Sequence, residues 1–247
     1  MSPTADVSLS RLDTVYLARV ADQAERYHDV IAQIKSLMSS GDGQLTMEER
    51  NLLSIAYKNI TGTLRGSWRA IDTLEKRPGT TKQHKRLMGV QKDRIKKDLD
   101  EACKDVVTVM ETHLIPSAND DEEMVFYCKM KGDYCRYLAE FSKDKEREQY
   151  SAMALDAYKT AYKHASITLP PTHPTKLGLA LNFAVYYHDI CDSPERACFL
   201  AKHAFDEAIA AVSSSKAAVS DQVAIEDSLM ILQLLRDDMI LWSGEIS

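Results

Sequence analysis

The sequence predicts an all-α protein of about nine antiparallel helices, stacked in a single layer-like bundle. Three observations carry that expectation. Apolar residues recur with a period near 3.6 along almost the whole chain, and no clear alternating stretch marks a strand. Glycine and proline are scarce, 9 and 7 in 247 residues, and they gather at a few breakpoints. The links between the periodic segments are short, which sets consecutive helices side by side and antiparallel.

The first two helices are short, about 10–25 and 27–39, and a loop at Ser39-Ser40-Gly41-Asp42-Gly43 follows. Thr46-Met47-Glu48-Glu49 is a capping box, in which hydroxyl and carboxylate satisfy each other's backbone N–H. It starts a long helix to about 76, which Arg77-Pro78-Gly79 ends. A second long helix spans about 83–114. Pro116 to Asp120 breaks the chain, and Asp120-Asp121-Glu122-Glu123 loads the next helix start with acid, as the helix dipole favours. That helix reaches about 141, and another covers about 145–166. Pro170-Pro171-Thr172-His173-Pro174 is the strongest breaker. Three helices follow at about 175–190, 195–212 and 217–242, and Ser193-Pro194-Glu195 is a cap-plus-proline start. Asp42-Gly43-Gln44-Leu45-Thr46 echoes part of a calcium loop, but Met38 and Ser40 stand where acids are needed. A loop before a capped helix is the better reading. No 34-residue repeat is visible.

An apolar share of 45% in 247 residues supports one large domain, 1–247, made of helices at about 10–115 and about 120–242. The net charge of −6 excludes bulk attraction to nucleic acid or anionic lipid, so any anion site must be local. No stretch approaches the roughly 20 apolar residues of a membrane span, and Met1 to Ser10 lacks the pattern of a signal peptide. The expected compartment is the cytoplasm, with the nucleus also open. Five cysteines, Cys103, Cys128, Cys135, Cys191 and Cys198, read as reduced thiols in the core. The pairs Cys128/Cys135 and Cys191/Cys198 are each expected to share a helix face about 10 Å apart, too far to ligate one zinc ion. The histidines are dispersed, and no Ser/His/Asp order, HExxH, P-loop or glycine-rich nucleotide motif occurs. We therefore expect no enzyme, no cofactor and no metal.

Basic residues gather at helical spacing inside this acidic chain. Lys58, Arg65 and Arg69 step by seven and four and lie within about 40° of one another on a helix. Lys129 and Arg136 share a face, Tyr137 is adjacent, and Asp133 is placed to hold the Arg136 guanidinium. Two such helices could present a lysine, two arginines and a tyrosine to one dianion, with charge-assisted bonds of roughly 1.5–3 kcal/mol each. Two further segments carry apolar stripes edged with polar groups. Leu181, Val185 and His188 are spaced i, i+4, i+7 beside Asn182 and Asp189; Leu234, Asp238, Leu241 and Trp242 are spaced i, i+4, i+7, i+8. Such edges suit an extended peptide, whose amides need partners where they leave water. Taken singly, the charges also fit ordinary solvated faces and the leucines ordinary core.

Four stretches closely resemble the 14-3-3 family: Glu48 to Asn59, Phe126 to Glu140, Pro171 to Phe183, and Gln233 to Asp238. The similarity runs in order over nearly the whole chain from about Val20. It implies nine antiparallel helices in a cup-shaped protomer that dimerises and holds phosphoserine or phosphothreonine peptides in a groove. By motif position, Lys58, Arg65, Arg136 and Tyr137 would contact the phosphate, with Arg69 and Lys129 flanking the pocket. Asn182 and Asp238 would bond the peptide backbone. Leu181, Val185, Leu234, Leu241 and Trp242 would form the apolar wall, with Asp189 its acidic position. Val20, Ala24, Ser67, Ile71 and Leu74 fall at dimer positions, and Arg26 and Asp29 would pair across the interface with Asp98 and Arg94. The partners implied are phosphorylated client proteins and a second, identical or related protomer. Nucleic acid and membrane insertion are not expected.

The chain also departs from the family pattern. Asp238 stands where the family usually has Asn, placing negative charge near a dianionic ligand at a cost of about 0.5–2 kcal/mol. His188 replaces a usual Tyr and is expected to make binding mildly pH-sensitive. Gln91 replaces a Tyr at the dimer interface, Ser67 lies in a less basic segment than a kinase site needs, and the long acidic tail after Trp242 is missing, so tail gating is not expected. The alternative reading is an interaction protein with weakened or phosphate-independent peptide binding, or chiefly a heterodimer partner.

Overall fold

The computed structural model describes residues 9–40, 44–214 and 222–246, with side chains at all but 40, 214 and 222–225. Among these residues there are nine α-helices and no strand. Their contacts divide into two compact units, split after Ser117. Asp42 and Gly43 of the calcium-loop echo, Gly41 beside them, and the expected helix start at 217–221 lie outside the described residues.

The first unit holds α1 (Arg11–Gln23), α2 (Tyr27–Ser40), α3 (Met47–Glu75) and α4 (Lys82–Val109). The capping box forms as expected: Thr46 Oγ1 accepts from the Glu49 N–H at 3.3 Å, and the Glu49 carboxylate accepts from the Thr46 N–H at 2.7 Å. The same carboxylate takes two bonds from the Arg11 guanidinium, at 2.9 and 2.6 Å, and so ties α1 to α3. Asp105 on α4 receives Lys35 of α2 at 2.5 Å and the Tyr57 hydroxyl of α3 at 2.6 Å. Val30, Ile34, Leu53, Ala56, Leu99, Cys103 and Val106 form the core beneath these ties. The expected α-helix over 83–114 ends earlier: after Val109 the chain makes a π-helical turn, Met110–Leu114. Widening the spiral before Pro116 satisfies the Ile115 N–H on Met110 O at 2.9 Å.

The second unit holds α5 (Asp121–Phe141), α6 (Asp144–Thr168), α7 (Pro174–Asp189), α8 (Pro194–Ser214) and α9 (Gln222–Ser243). Ala154, Ala157, Ala161 and Ala165 line the buried face of α6, so α5 packs against it at close range. A second core joins α7, α8 and α9 through Leu177, Ala184, Ala201, Ala208, Leu235 and Trp242. Pro174 sits at the start of α7, where its missing N–H costs nothing, and His173 Nδ1 caps that end from 3.2 Å. Cys103, Cys128 and Cys135 are core residues, as expected, but Cys191 is exposed and Cys198 only half-buried. Those two do not share a helix, because α7 has ended at Asp189 and Cys191 lies in the turn before α8.

Candidate functional site

In the second unit the spacing of α5 builds a buried polar centre. Lys129, Asp133 and Arg136 are four and three residues apart and lie on one helical face. Asp133 is buried and accepts from Lys129 Nζ at 2.9 Å, from the Tyr158 hydroxyl at 2.6 Å, and from Asn182 Nδ2 at 2.8 and 2.9 Å on its two oxygens. The Arg136 Nη2 atom stands 3.8 Å from the same carboxylate. Arg136 Nε donates to the Tyr158 hydroxyl at 3.1 Å, and its guanidinium lies 4.7 Å from the Tyr137 ring centre. Three helices, α5, α6 and α7, thus meet on one carboxylate.

The electrostatics follow from that geometry. Burial alone would push the Asp133 carboxyl up, but the charges of Lys129 and Arg136 outweigh it and hold the group below its usual range. Burial likewise works against the Arg136 charge, and the oxygens of Tyr158 and Asp133 more than restore it. Burial also drives the Tyr158 hydroxyl well above its ordinary value, so it stays protonated and can donate to Asp133. Two cations against one carboxylate leave one positive charge in a rigid, partly dehydrated setting. That combination suits an anion with several oxygens.

Tyr158 was not visible as a site residue, because it lies on a different helix, 25 residues beyond Asp133. Gly132 is the local signal for it. A Cβ there would stand 2.8 Å from Tyr158 Cδ1 and Cε1, so only glycine lets that ring lie against α5.

The α7 and α9 faces sort the proposed wall. Leu181 and Val185 are half-buried against the α7–α8–α9 core. Leu234 and Leu241 are 47% and 63% exposed, so they are not core residues. Trp242 is a correction: it is only 3% exposed and belongs to the core. The helical angle explains the difference. Leu234 and Leu241 are seven apart on the outer face; Leu235 and Trp242 are seven apart on the inner one, about 100° away. Asn182 gives its amide nitrogen to Asp133, a use that spacing did not reveal. Asp238 is half-buried, and its carboxyl is pushed up by burial and by Asp189 and Asp237, with His188 opposing.

In the first unit, Lys58 and Arg69 are exposed and Arg65 half-buried along α3. Val20, Ala24 and Leu74 are exposed, and Ser67 and Ile71 half-buried, which removes the intramolecular-core reading for Val20 and Leu74. Leu12, Tyr16 and Val20 form an exposed i, i+4, i+8 stripe, with Leu12 at 83% exposure, while Val15 and Ala18 occupy the buried face. A short helix with apolar residues on two faces signals a second contact, and Leu12 and Tyr16 were missed despite that pattern. Arg26 pairs with Asp29, three residues on, within one chain. Those two residues and Asp98 edge a cavity of about 790 Å³ among α2, α3 and α4.

A family model described as 14-3-3 protein matches residues 17–243. The chain belongs to the 14-3-3 family. Among similar 14-3-3 relatives, the checkpoint signal transducer rad24 of Schizosaccharomyces pombe is 48% identical over 96% of this chain and 86% of its own. Protein BMH1 of Saccharomyces cerevisiae is 47% identical over 98% of this chain and 89% of its own. The 14-3-3 protein 7 of Solanum lycopersicum is 46% identical over 94% and 90%. Among the described residues of this 14-3-3 chain, no helix is long and apolar enough to cross a membrane.

Proposed function

We propose that this chain is a dimeric adaptor that binds phosphoserine or phosphothreonine segments of client proteins and alters their activity, location or contacts. Lys58, Arg65, Arg136 and Tyr137 take the phosphate, with Lys129 and Arg69 beside it. Asn182 and Asp238 meet the peptide backbone, and Leu181, Val185, Leu234 and Leu241 offer apolar contact near Asp189. Trp242 acts from the core, by holding α9. The observation that carries this reading is the buried Lys129–Asp133–Arg136–Tyr158–Asn182 network, a pre-oriented cation centre in a 14-3-3 chain. Its groups are placed to bind and orient an anion. The cytoplasm, and the nucleus with it, is where kinases would supply such clients.

Fluorescence anisotropy with a labelled Arg-Ser-x-pSer-x-Pro peptide tests the assignment. Lys58→Gln or Arg65→Gln removes one charge-assisted contact and weakens binding roughly 10- to 150-fold, the equivalent of about 1.5–3 kcal/mol. Unchanged affinity in both variants contradicts it. A second reading rests on Asp238, whose half-buried carboxylate already sits among Asp189 and Asp237. In that reading the groove tolerates phosphate poorly, and Asp238→Asn raises phosphopeptide affinity at least tenfold in the same assay. An affinity gain of less than threefold removes it.

A further inference from the structure

His188 lies on the last turn of α7 with a carboxylate at each ring nitrogen. Nδ1 is 2.7 Å from Asp189 Oδ1, and Nε2 is 2.9 Å from Glu245 Oε2. Its ring stacks on the buried Trp242 indole, with centroids 5.2 Å apart and planes 20° apart. Glu245 follows the end of α9 by two residues. A turn brings it there, with the Gly244 N–H on Leu241 O at 3.3 Å and the Glu245 N–H on Trp242 O at 3.0 Å.

A neutral imidazole carries one N–H, so it can donate to only one of these two carboxylates. The other nitrogen then turns its lone pair toward an oxygen that also carries lone pairs and charge. Only the imidazolium donates to both. We propose that His188, Asp189 and Glu245 form a proton-operated latch: with His188 protonated it fastens the turn after α9 to the end of α7, and with His188 neutral it lets that turn go.

The surrounding charges agree with this. On α7 the facing group is Asp189, on α9 it is Asp238, and in the turn after α9 it is Glu245. From α8, Cys198 lies within reach of the charges of both Glu195 and Glu245, and Arg196 lies 5.9 Å from the Tyr187 ring. Partial burial alone would push the His188 ring down, but the two bonded carboxylates outweigh it and raise it above the ordinary histidine value. The latch is therefore fully closed below the unfolded value of about 6.5, and it opens as pH rises through the raised folded value.

The test needs no peptide, so its result stands apart from the phosphopeptide reading. NMR titration of the His188 ring reads the proton, and amide exchange of Gly244 to Ile246, corrected for intrinsic rate, reads the turn. The latch requires a His188 midpoint above about 6.5, which moves down in Glu245→Gln. It also requires these amides to be more protected at acid pH than at alkaline pH, with the difference lost in both Glu245→Gln and His188→Gln. An unmoved midpoint in Glu245→Gln, or equal protection at both pH values in the unaltered chain, overturns it.

Discussion

Gly132 and Asp133 decide the polar centre at the scale of single residues. Gly132→Ala drives a methyl group into the Tyr158 ring at 2.8 Å, and urea unfolding should show a loss of about 1–3 kcal/mol. Gly62→Ala, on the same kind of helix interior but with nothing within 4 Å of its Cβ, should instead gain up to about 1 kcal/mol. Asp133→Asn keeps the shape but leaves Arg136 buried without its counter-charge, a loss of about 3–5 kcal/mol by the same measurement. The sequence made Asp133 readable, since its partners Lys129 and Arg136 lie about one turn away on either side. It did not reveal Tyr158 or the bond from Asn182, because periodicity reports which face a residue occupies and not what another helix brings to it.

Helix boundaries were legible wherever a side chain caps the backbone. Thr46 and Glu49 formed the box their spacing required, whereas Pro174, read as the end of the breaker, is the first residue of α7. Thr46→Ala should cost about 1 kcal/mol in urea unfolding, as the loss of one cap does. The Glu49 carboxyl carries a pH signature. Burial pushes it up, but the bonds from Arg11 and from the Thr46 N–H outweigh this and hold it below its usual range. A depressed folded value means stability that is present above the unfolded value of about 4.3 and lost as pH falls through the folded one. The stability advantage of the native chain over Glu49→Gln should therefore shrink on acidification below about pH 4.3, and an advantage that grows there would contradict the assignment. The π-helical turn after Val109 was hidden, since a chain that widens its spiral keeps an almost helical apolar pattern. The i+8 spacing puts Trp242 on the Leu234 stripe, yet eight residues turn a helix about 80° away from Leu234, toward the inner face that Leu235 occupies.

For the whole molecule, the sequence made the helix count and order readable but left open which apolar residues look outward. Leu12, Tyr16, Val20 and Leu74 are exposed in the isolated chain, and burying them against a second protomer is the account offered for them. Sedimentation velocity should find a dimer, and Val20→Asp with Leu12→Asp should give a monomer that keeps its helical circular dichroism. A native chain that sediments as a monomer at micromolar concentration contradicts the dimer. A dimer with two grooves would favour doubly phosphorylated clients through avidity. The central claim is phosphate-dependent recognition, and one measurement meets it directly: titration calorimetry of the native protein with an Arg-Ser-x-pSer-x-Pro peptide and with the same peptide unphosphorylated. The account predicts saturable binding of the phosphorylated peptide, with the unphosphorylated twin at least 100-fold weaker, as the loss of two or more charge-assisted contacts requires. Equal affinity for the two peptides would contradict it.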